Sequence, residues 1–252
     1  MKKIVLTLCL LQMYTYSSLY ADTITLVADD WCPINCTPNS SAPGYVIEIA
    51  TQVFEAAGHT VEYQYLSWNR ALAEVSSGEY VGAIAATPKE LPKGIFPEET
   101  LGSYGNDFIV KKGSKWQFTS MSALKEVNLA VIQGYNYGKN MSAYIANNPD
   151  KVIQMGGNDA VRRILLMMLK GRIDVYLEDR NIAFYTAKQH DLIDKFEVAG
   201  SEGTPIDFYI GFSPVVSQSK TYAQILSDGI VRLRNSGELK IILDKYGITD
   251  WK

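Results

Sequence analysis

"VEYQYLSWNRALAEVSSGEYVGAIAAT" (residues 61–87) reads as strand, helix, strand. Val61 to Leu66 alternate apolar and polar, the pattern of a half-buried strand. Ser67 then stands where its hydroxyl can accept from the free N–H groups of a first helical turn, and Gly78 closes the helix. "YVGAIAA" (80–86) is a short, mostly apolar run of the kind buried inside a parallel sheet. Arg70 falls in the first turn of this helix, where a cation faces the positive end of the helix dipole at a cost of about 0.3–1 kcal/mol.

The same alternation extends outward. "TITLVA" (23–28) reads as a strand, and "GYVIEIATQVFEAAG" (44–58) sets Val46, Ile49, Val53 and Ala57 on one helical face before Gly58. Strand, helix, strand, helix, strand predicts an α/β layer with a parallel sheet. Residues 87–107 carry three prolines and three glycines and are expected to be irregular. "FIVKKG" (108–113) resumes extended structure, and the pattern then restarts: strands at 128–133, 151–155 and 173–178, helices from about Lys139 and over 159–171. "DFYIGFS" (207–213) predicts one more strand, followed by two helices, the second with Leu239, Ile242, Leu243 and Tyr246 on one face.

Residues 1–21 place two lysines before the apolar run Ile4–Met13 and end at Ala21, the order of a secretory signal peptide; the run is too short to span a bilayer. Without Lys2 and Lys3, 22 basic residues face 27 acidic ones, a formal charge of −5, which argues against a nucleic-acid partner. Cys32 and Cys36 are the cysteines left in the exported chain. Two thiolates alone cannot complete a tetrahedral metal shell, so an oxidising compartment predicts a disulfide.

Catalytic signals are sparse. His59 and His190 have no partner at ligand spacing, and no nucleophile elbow or phosphate-cradling glycine loop is present. Polar and aromatic residues do gather at strand ends, where open parallel sheets bind ligands: Asp29, Asp30 and Trp31, then Trp68 and Arg70, Thr87, "QGYNYGKN" (133–140), and Glu178 with Asp179.

"GYVIEIATQVFEAAG", "ALAEVSSGEYVGAIAAT", "GRIDVYLEDRNIAFY" and "LRNSGELKIILDKYG", in this order and spacing, resemble the extracytoplasmic solute-binding proteins, family 3, that serve polar amino acid ABC importers. The resemblance implies a two-lobed periplasmic binding protein-like (type II) fold, with a two-stranded hinge expected at 108–112 and 208–212. Lobe 1 is then 22–109 plus 210–252, and lobe 2 is 110–209. It implies Asp179 as acceptor of a ligand ammonium, and Gly134 to Gly138 as a helix-start loop whose N–H groups meet a carboxylate. The family's Thr-x-x-Arg clamp reads Thr87, Pro88, Lys89, Glu90 here, so the arginine is missing. Arg70 is the expected replacement, with Lys89 as second candidate and an ion pair with Glu74 as Arg70's alternative use. Asp30 and Thr87 complete the expected polar set, and Trp31, Trp68, Tyr135 and Tyr137 the walls.

The implied function is periplasmic binding of an amino acid or related carboxylate by a monomer, for an inner-membrane ABC permease or a sensor, with no cofactor. An exported cyclohexadienyl-type dehydratase on the same fold is the enzymatic alternative, its acid or base being Glu178 or Asp179.

Overall fold

The computed structural model describes residues 21–157 and 159–252, so the expected signal peptide, Ala21 excepted, lies outside the described residues. The first half runs β1 (Thr23–Ala28), α1 (Tyr45–Ala56), β2 (Thr60–Tyr65), α2 (Trp68–Ser77) and β3 (Gly82–Ala86). β1 pairs in parallel with β2 on one side and β3 on the other. Every residue of β3 is buried, as its apolar run requires, whereas β2 alternates between exposed and half-buried at the sheet edge. Ser67 sits at the N-cap of α2 in extended conformation, without the side-chain hydrogen bond expected of it.

The second half repeats the plan with β4 (Gly102–Lys111), β5 (Leu129–Ile132), α3 (Gly138–Asn147), β6 (Val152–Met155), α4 (Ala160–Leu169), β7 (Val175–Glu178) and α5 (Arg180–Gln189). β8 (Phe196–Phe212), α6 (Ser219–Ser236) and α7 (Glu238–Tyr246) follow, and α6 and α7 return to pack on α1. One sheet of eight strands results, in the order β2-β1-β3-β8-β4-β7-β5-β6. It consists of two parallel triplets joined through the antiparallel strands β8 and β4.

The two strands that join the triplets correct the expected hinge. Residues 108–112 and 208–212 do not face each other: Lys111 lies opposite Phe196, and Phe208 lies opposite Gly102. The crossing runs through 102–107 of β4 and 201–208 of β8, the first of which the proline and glycine content had marked as irregular. β8 pairs with β3 only from Tyr209 onward, and β4 pairs with β7 only from Asp107. Between those points each strand has one partner and one free edge. A free edge tolerates Gly203 and Pro205, and the register shifts at Tyr104/Asn106 and Asp107/Ile109 twist the ribbon further.

Asp107 pins this ribbon to the second triplet. Arg180 donates to it from Nε at 2.8 Å and from its backbone N–H at 3.0 Å, and Ser201 Oγ donates as well. Burial alone would raise the Asp107 carboxyl, but these bonds hold it below the usual range.

Cys32 and Cys36 are disulfide-bonded, with Cα atoms 4.7 Å apart, in the turn after β1. Inside the turn Trp31 N–H donates to the Asn35 carbonyl at 2.9 Å, and both side chains are buried. Replacing both cysteines with serine is expected to cost about 2 kcal/mol in a denaturant titration, the loop-closure value for so short a ring. An unchanged midpoint would show that the turn is held by its hydrogen bonds alone.

Candidate functional site

A cavity, about 490 Å³ when the space open to solvent at its mouth is counted, lies between the two triplets, at the carboxyl ends of β1, β3, β5 and β7. Asp29, Trp31 and Asn35 enter it from the turn after β1, and Trp68 from the start of α2. Tyr135, Asn136 and Tyr137 enter from the β5–α3 loop, Tyr104 from the crossing ribbon, and Glu178 from the end of β7.

Two carboxyl groups, Glu178 buried and Asp29 half-buried, tie the halves together. Glu178 Oε1 accepts from Trp31 Nε1 at 3.2 Å and Oε2 from Tyr176 at 2.8 Å, while Asp29 Oδ2 accepts from Tyr135 at 3.0 Å. Burial pushes both carboxyls up to about 7 in spite of these donors. Trp31 also meets Tyr104 and Tyr135 edge-on, with centroids 5.3 and 6.0 Å apart, so one indole anchors the cavity's aromatic wall.

A third carboxylate stands where the resemblance led one to look for an arginine. Thr87 and Glu90 form a capping box: Thr87 N–H donates to Glu90 Oε2 at 3.2 Å, and Glu90 N–H donates back to Thr87 Oγ1 at 3.3 Å. The other carboxylate oxygen, Oε1, accepts from Trp68 Nε1 at 3.2 Å, so Glu90 lines the cavity in a defined orientation. Ala85, which also lines it, has φ +61°, a left-handed backbone that alanine adopts only under constraint; here the constraint is the register shift between Ala83 and Ala86.

Of the residues singled out from sequence, Trp31, Trp68, Tyr135 and Tyr137 line this cavity. Asp30 lines an adjoining space of about 710 Å³, and burial raises its carboxyl. Thr87 is buried beneath Glu90. Lys89 is exposed and donates to Asn136 Oδ1 at 3.3 Å. Gly134 takes φ +88° against Asn69 rather than facing the cavity.

Two placements correct the expected anchors. Arg70 is absent from the lining; its side chain is 63% exposed and bonds Glu74 at 2.5 Å on the outer face of α2, one turn on. Asp179 faces away from the cavity: Oδ1 accepts from Asn181 N–H at 2.8 Å, capping α5, and Oδ2 accepts from Gly105 N–H at 2.9 Å. It lines a separate space of about 750 Å³ beside Tyr45 and Trp251. Asp29 and Glu178, noted from sequence at strand ends, line the cavity too, whereas Asn35, Glu90 and Tyr104 were not singled out as site residues. The Thr-x-x-Glu capping-box pattern at Thr87 was the one legible signal for Glu90.

The family model of the bacterial extracellular solute-binding proteins, family 3, matches residues 24–249. The chain belongs to this family. Among solved structures, this solute-binding protein is similar to one described in work on glutathione import through GshT and the cystine importer of Streptococcus mutans. That match has TM-score 0.73 at 20% identity, covering 90% of this chain and 95% of the other. A Streptococcus pneumoniae ABC uptake substrate-binding protein with bound histidine gives TM-score 0.67 at 21% identity, covering 89% and 92%. A histidine kinase sensor domain gives 0.70 at 17%, covering 89% and 95%. At these identities the likeness shows the fold, the two-lobed type II periplasmic binding architecture. A search of curated proteins returned no match.

Two predictions follow from the geometry of this solute-binding protein. Asp29 and Glu178 keep protons in the folded state that the unfolded chain releases above its ordinary carboxylate range. Unliganded stability is therefore expected to fall as pH rises from about 4 to 7, and Asp29→Asn with Glu178→Gln should flatten that slope in thermal melts. Asp179→Ala, which removes a helix cap and leaves the Gly105 N–H unmatched, is expected to cost about 1–3 kcal/mol of stability in a chemical melt.

Proposed function

We propose that the chain captures a small polar solute in the periplasm by closing its two lobes, and as a monomer presents it to an inner-membrane ABC permease. The observation that carries this reading is the cavity bridged from both sides, by Trp31 to Glu178 and by Tyr135 to Asp29. These bonds form only when the triplets approach, so closure and capture are one event. Membership of the extracellular family supports the compartment and the permease, and the importer proteins among the structural neighbours support uptake. The sensor-domain neighbour supports a sensing version of the same closure.

Residues Asp30, Trp31, Trp68, Tyr135 and Tyr137 are proposed to shape the site, with Thr87 and Lys89 acting through their partners Glu90 and Asn136. Binding is favoured over dehydratase chemistry because Glu178, the acid that faces the cavity, is already held by Trp31, Tyr176 and the Asp179 N–H.

Closure is tested by small-angle scattering with and without a solute found by thermal shift. A ligand at 100 times its Kd stabilises by about 2.7 kcal/mol, which a melt resolves easily. The radius of gyration is expected to shrink on saturation while chromatography recovers the solute unchanged. An unaltered radius, or a solute converted to product, would overturn the reading.

A further inference from the structure

The chemistry lining the cavity is of one sign. Asp29, Glu90 and Glu178 all reach it, and among the described residues that line it none is Lys, Arg or His. Lys89 stays exposed with Asn136, and Arg70 stays outside with Glu74. Asn35 adds an independent sign. It is 1% exposed, lines the cavity, and its amide nitrogen donates to the Asp29 carbonyl and to Tyr63, but its Oδ1 is buried with no partner. An acceptor left unmatched in the interior is destabilising until a donor reaches it. Four residues with oxygen acceptors therefore line the cavity together with Trp31 and Tyr104, and aromatic rings attract cations through their quadrupoles.

We propose that the solute of this cavity is a small organic cation, an amine or amidine, that carries no carboxylate. The proposal rests on the solute-binding reading above and narrows its solute class. A carboxylate placed here would meet the Glu90 carboxylate and two further acidic groups and no guanidinium, whereas an ammonium would supply donors to oxygen acceptors and favour the ionised form of Asp29 and Glu178. Glu90 decides the sign. It occupies the position at which the clamp arginine was expected, and its capping box with Thr87 and its bond from Trp68 hold its charge at the cavity wall.

The test pairs amino acids with the amines left when their carboxylate is removed: arginine with agmatine, lysine with cadaverine, histidine with histamine, tyrosine with tyramine. Succinate and glutarate serve as anionic probes. Calorimetry and thermal melts on the exported chain are expected to show at least one amine binding tenfold or more tighter than its parent amino acid. Glu90→Gln should weaken that amine at least tenfold, and Glu90→Arg should shift preference toward the parent amino acid. Equal or tighter binding of amino acids or dicarboxylates by the unaltered chain would overturn the cation proposal and leave solute binding standing. No binding of any probe would overturn both.

Discussion

The antiparallel pairing of β4 with β8 is the constraint on which the remaining geometry depends. Among the described residues the chain passes between its halves through these two strands of the sheet, and each pairs both with the other and with the end strand of one triplet, β8 with β3 and β4 with β7. Because the triplets are parallel and their strands end facing the junction, the loops after β1, β3, β5 and β7 have no other place to meet. The free edges that make the ribbon tolerant of Gly203 and Pro205 also leave it less braced than the strands on either side, which is where bending is cheapest. Asp107, fixed by Arg180 and Ser201, keeps the second triplet in register with that ribbon.

Inside the junction, burial and hydrogen bonding oppose each other. Asp29 and Glu178 lose solvation and rise to about 7, and the donors from Tyr135, Trp31 and Tyr176 offset only part of that loss. Such carboxylates are half-ready to ionise near neutrality, and a positive charge beside them would complete the change. The acidic side chain at Glu90 acts differently, because a capping box and an indole N–H fix it on a half-exposed turn. The left-handed Ala85 next to it is strain held in place by the β3–β8 register shift, of the kind that concentrates at binding sites.

Much of the fold was legible in the residues. Alternation in "TITLVA", the apolar run "YVGAIAA" and the helical faces ended by Gly58 and Gly78 are local signals, and the elements they announced are present within one to two residues at most ends. The crossing ribbon was not legible. Its residues, "GSYGND" and "SEGTPIDF", carry turn-like composition, and only pairing with each other makes them strands.

The sequence by itself determined the repeated α/β plan, the disulfide between Cys32 and Cys36, and the aromatic set Trp31, Trp68, Tyr135 and Tyr137, because each follows from periodicity, spacing or side-chain chemistry. Tertiary structure alone decided which polar groups face inward. Side chains at a strand end alternate with a period of two, so Asp29 turns to the cavity and Asp30 to its neighbour, and Glu178 enters while Asp179 caps a helix. On α2 the helical period sends Trp68 inward and Arg70, two residues later, outward to Glu74. A shift of one or two residues reverses the charge that a solute meets, and it is set by which neighbours press on each face.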